Sequence, residues 1–102
     1  LKEKVEFKLI EGEEVITVIS NEEYIQAIKE TFGRNVKNIE KNLVQITTVF
    51  PEEISNTIGV SAHIYHRLAN ANINILEEMS CWTDVMVIIN EKDVAKATEL
   101  LT

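Results

Sequence analysis

"VMVIINEKDVAKAT", residues 85–98, decides how the rest of the chain is read. An apolar run rich in Val and Ile stops at Asn90. After three charged residues, Val94, Ala97 and Thr98 return at helical spacing. The period changes from that of a strand to that of a helix within a few residues, so the stretch reads as strand, cap, helix. Asn90-x-x-Asp93 supplies a weak capping box at the junction.

Sliding the chain against itself by 70 residues lays "VITVISNEEYIQAI" (15–28) on this stretch without a gap. Val15 meets Val85, Val18 meets Ile88, Ile19 meets Ile89, Glu23 meets Asp93 and Ala27 meets Ala97. "VEFKLI" (5–10) falls on 75–80, within the alternating stretch "INILEEMS" (73–80). The simplest account is two copies of one strand–strand–helix unit. In the first copy, strands 5–10 and 14–20 precede a helix over 22–32 with the stripe Tyr24, Ile25, Ile28 and Phe32, opened by Ser20-x-x-Glu23 as a capping box. In the second, strands 73–80 and 84–90 precede a helix over 91–101.

The second copy has a further strand, "LVQITTVF" (43–50), and a helix over 60–71 with the stripe Val60, Ile64, Leu68 and Ala71. A short segment, "VKNIE" (36–40), lies before it, separated by Lys41 and Asn42 alone. A two-residue link joins antiparallel neighbours in a hairpin. Segment 34–102 therefore reads β-βαββα, a ferredoxin-like sheet whose last strand enters from the front. Two domains are expected, a partial ββα unit at 1–33 and a permuted ferredoxin-like domain at 34–102.

Length, charge and cysteine content narrow the class. At 102 residues with 45% apolar content, the chain is sufficient for a compact core. The net charge of −7 argues against a nucleic-acid surface, which needs clustered Lys and Arg. One cysteine, Cys81, excludes an intrachain disulfide and points to a reducing, cytoplasmic setting. No apolar run approaches the roughly 20 residues that span a bilayer, and no secretory signal is visible. The chain opens on Leu1 rather than Met, as a fragment would, or a chain lacking residues at its start.

The segment from "LVQITTVF" through "TIGVSAHIYHRLANANINI" to "EKDVAKATELL" (43–101) resembles an ACT domain, a small ferredoxin-like regulatory module that binds amino acids. The half-repeat at 5–40 extends the likeness to a tandem arrangement similar to the regulatory tail of aspartokinases and to certain archaeal ACT proteins. The resemblance implies an α/β (α+β) sandwich with an antiparallel sheet and helices on one face. It implies a homo-oligomer, at least a dimer, that senses an amino acid between subunits without catalysis of its own. The site it implies comprises Asn56, Thr57, Ile58, Gly59, Val60 and Ser61 at the helix start, and Asn74, Ile75 and Leu76 from a neighbouring subunit. Two positions depart from the family pattern. Ile58 stands where many members carry Pro, and Leu76 stands where lysine-responsive aspartokinases carry an acid. A ligand-free oligomerisation scaffold and the regulatory fragment of an aspartokinase-type enzyme are the competing readings.

The residues also have readings of their own. Gly59 permits positive φ and close approach, and a helix start offers free N–H groups to a carboxylate; a tight turn packed under the sheet is the plainer account. Asn70, Asn72 and Asn74 suit turns, and Asn74 alone is a candidate for the effector's polar end. His63 and His66 lie three apart on a helix with no third ligand at matching spacing, so a solvated face is expected rather than a metal. "SCWTD" (80–84) reads as a turn between antiparallel strands, not as a nucleophile site around Cys81. Glu77 and Glu78 are adjacent in a strand and point to opposite faces, so they do not converge on one substrate bond. No catalytic residue, metal or other cofactor is expected, and neither a membrane nor direct nucleic-acid contact.

Overall fold

The computed structural model describes residues 7–51, 53 and 59–101. The chain divides into two compact units, 1–41 and 42–102. The division falls later than the expected boundary after residue 33.

The first unit holds β1 (Phe7–Glu11), β2 (Ile16–Ser20) and α1 (Ile25–Phe32). β1 and β2 pair antiparallel from Phe7↔Ser20 to Glu11↔Ile16. Gly12 closes their loop by donating its N–H to the Val15 carbonyl at 2.8 Å. A Cβ on Gly12 would meet that oxygen at 3.2 Å, so glycine fits here by close approach. A 3-10 turn over Glu22–Tyr24 leads into α1. The expected capping box is not made: Ser20 lies in β2 and donates its hydroxyl to the Asn21 carbonyl, and Asn21 takes the cap position without capping the turn through its side chain.

The expected strand at 36–40 is not formed either. These residues carry no strand assignment. Val36 and Ile39 stand three apart, a spacing that places apolar groups on no single strand face. Val36 donates its N–H to the Gly33 carbonyl, and the Asn38 amide donates to the Glu40 carboxylate at 3.2 Å, a local bond that competes with a ladder.

The second unit runs β3 (Leu43–Val49), α2 (Val60–Asn70), β4 (Ile75–Cys81), β5 (Asp84–Asn90) and α3 (Val94–Leu101). Among the described residues its sheet order is β3-β5-β4, both pairs antiparallel. This is the ferredoxin-like βαββα order without the permuted fourth strand. Both helices pack on one face, as expected. Ile64 and Leu68 from α2 and Ala97 from α3 share a core with Val85, Val87 and Ile89, alternate residues of the central strand, and with Ile73. Centrality explains β5's apolar content: Ile88, which points the other way, is buried as well.

Local chemistry ends α2 sharply. Asn72 sits at φ 59, in the left-handed region. Its N–H reaches the Ala69 carbonyl at 3.0 Å, and the Ile73 N–H reaches Leu68 at 3.0 Å, the bond pattern of a Schellman cap. The apolar contact that accompanies such a cap is present, since Leu68 and Ile73 share the core. Asn90 caps the other helical start, its side chain accepting from the Lys92 N–H at 3.0 Å.

The two units follow the predicted repeat. The first unit, and the second from β4 onward, each run strand, strand, 3-10 turn, helix. α1 starts at Ile25 and α3 at Val94, one residue short of the offset that relates Ser20 to Asn90 at the strand ends. Asn21, between β2 and its 3-10 turn, accounts for the extra residue.

Candidate functional site

Gly59 opens α2 at φ 88 and ψ 6, and among the described residues, its chain neighbours aside, no heavy atom lies within 4 Å of where its Cβ would stand. The positive φ by itself favours a glycine here, and residues 54–58 of the turn that precedes it lie outside the described residues. The helix begins with the His63 N–H bonded to the Gly59 carbonyl at 2.9 Å. Gly59 brings no side-chain cap, so the amides of the first turn gain nothing from it.

The topology fixes what surrounds this helix start. α2 begins at the same sheet end as the β4–β5 hairpin, because Cys81 pairs with Asp84 there and Phe50 donates its N–H to the Thr83 carbonyl at 2.9 Å. A shallow cleft of about 60 Å³ results, lined by Phe50, Val60, Ser61, Ser80, Trp82, Thr83 and Val85. That volume accepts a small group and falls well short of the several hundred Å³ of a cleft that encloses a whole ligand. Trp82 stands at the hairpin tip, 74% exposed and at φ 53, where glycine is the ordinary residue.

Of the predicted site residues, Val60 and Ser61 line this cleft, and Gly59 adjoins them. Asn56, Thr57 and Ile58 lie outside the described residues. Asn74, Ile75 and Leu76 stand at the far end of β4, where Ile75 pairs with Ile89. The seven residues of β4 run from that end to Cys81, roughly 20 Å of extended chain. One chain alone therefore does not bring the two groups together. The ladder shifts between Ile75 and Glu77, which leaves Leu76 as the extra residue of a bulge.

The other candidates fall on the surface or into the framework. His63 and His66 are exposed on α2. Among the described residues no three His, Cys, Asp or Glu side chains gather as metal ligands. Cys81 is exposed at the hairpin. Glu77 pairs with Ile88 and Glu78 with Val87, on opposite faces of the sheet. Glu78 accepts the hydroxyl of Tyr65 from α2, tying helix to strand. Partial burial of that phenol, its bond to Glu78 and the carboxylate's negative charge push the Tyr65 pKa up to about 12.

Sequence reasoning missed Phe50, Ser80, Trp82, Thr83 and Val85 as cleft residues. The signal was available in the βαββα order itself, which places the second strand's end and the hairpin beside the first helix's start.

No family model matches the chain, and no curated protein does. Solved structures do. The aspartate kinase of Clostridium acetobutylicum superposes with a TM-score of 0.81 at 19% identity, over 95% of this chain and 25% of that one. A structure of aspartokinase alpha and beta subunits gives 0.77 at 21% identity, over 95% of this chain and 71% of that one. The ligand-free regulatory subunit of aspartate kinase from Thermus thermophilus gives 0.76 at 15% identity, over 95% and 70%. The chain spans a quarter of the first of these enzymes and about seven-tenths of the other two chains. At these identities the likeness is one of fold: a mixed α/β chain with antiparallel sheets, built as the regulatory chains of aspartate kinases are.

Proposed function

We propose that this chain is a regulatory, non-catalytic module of the ACT type that binds an amino acid between two copies of itself. The observation that carries the reading is the start of α2. A left-handed glycine without a side-chain cap places the amides of Val60 and Ser61 beside a cleft walled by Phe50 and Trp82. Helix-start amides and the helix dipole favour a carboxylate. The cleft is too shallow to enclose an amino acid, so the reading needs a second wall. Asn74 and Leu76, at the other end of β4, supply it when a second copy runs antiparallel beside the first. Fold likeness to aspartokinase regulatory chains supports the same reading, including service as the regulatory part of such an enzyme.

The test uses Trp82, the chain's one tryptophan, as its own reporter. Titration with each of the twenty amino acids should change its fluorescence for one or a few of them. Those same amino acids should raise the melting temperature, since a ligand at 100 times its dissociation constant adds about 2.7 kcal/mol. Ser61→Asp, which puts a carboxylate at the helix start without disturbing Gly59, should abolish both responses.

Leu76 favours a second reading, a ligand-free scaffold, because the bulge carries an apolar residue where a charged anchor would hold an amine. A dimer by light scattering that responds to none of the twenty amino acids would establish the scaffold. A stable monomer at micromolar concentration would sink both readings.

A further inference from the structure

We draw no further inference here: the strongest candidate, the open edge of β2 with the exposed apolar face of Phe7, Leu9 and Ile16 beside it, carries nothing because nothing in the structure shows what covers it.

Discussion

Gly12 and Gly59 show how the same residue answers two different demands. At Gly12 a side chain would press on a carbonyl; at Gly59 no described residue crowds the Cβ position and the backbone angle objects. Gly59→Ala should therefore cost about 1–2 kcal/mol from left-handed strain alone. Gly59→Asn should cost less, because Asn tolerates that region. Urea unfolding of the two variants checks the order, and equal losses would contradict it. The same angle makes Gly59→Asp a poor probe of binding, since strain and charge would change together. Trp82 inverts the case. A large side chain occupies a left-handed position and stays in solvent, so Trp82→Gly should leave stability unchanged or raise it by up to about 1 kcal/mol. Circular dichroism melts would show this. A marked loss would mean that the indole holds the hairpin. Gly59 was legible in the sequence as a conformational residue. The distinction between space and angle was not, because it depends on what packs nearby.

At the scale of elements, the helices differ in how far they are committed to a core. Leu68 of α2 is fully buried, and Ile28 of α1 is only half-buried. Leu68→Ala should cost about 2–5 kcal/mol. Ile28→Ala should cost markedly less, because it removes less area from a packed environment. The tie between α2 and β4 is testable by pH. The Tyr65 phenol has a folded pKa of about 12 against about 10 unfolded, so folding favours the protonated form. Its contribution is complete below pH 10 and is lost as pH rises through 12. Tyr65→Phe should remove this alkaline component and cost about 0.5–1.5 kcal/mol at neutral pH. An unaltered alkaline transition in the variant would show that other groups govern it. The strands and helices of both units were legible because their periods are clean and their offset repeats. The segment 36–40 misled because a two-residue link suggests a hairpin whatever lies before it. Apolar spacing of three and a local Asn38–Glu40 bond then outweighed the link. Of the two expected caps, Asn90 is used and Ser20 is not, since a serine at the end of a strand can give its hydroxyl to a neighbouring carbonyl instead.

For the whole molecule, the two units differ in self-sufficiency. No described residue before Asn42 is buried, while the second unit has a continuous core. A hairpin and one short helix are marginal in water without further packing. Residues 42–102 expressed alone should therefore melt cooperatively, and residues 1–41 alone should show weak, non-cooperative circular dichroism. The reverse outcome would mean that the second unit depends on the first. The candidate site was legible only in its helix-start half. Its hairpin half required knowing which sheet end the helix faces, a long-range fact that local periodicity does not carry.

The strand order β3-β5-β4 also sets a sequence of events in time. β4 and β5 are joined by the shortest of turns and can zip together in about 1–10 μs, as hairpins do. β3 reaches its place beside β5 when Val49 finds Asp84, across a loop that includes the whole of α2 and β4. Closing that loop costs chain entropy before any ladder bond repays it. The nucleus should thus form around the hairpin and the helices it recruits, with β3 docking last. Substitutions at Val85 or Val87 should slow refolding, whereas Ile46→Val should chiefly speed unfolding. The strand that opens the second unit would be the last of its sheet to arrive.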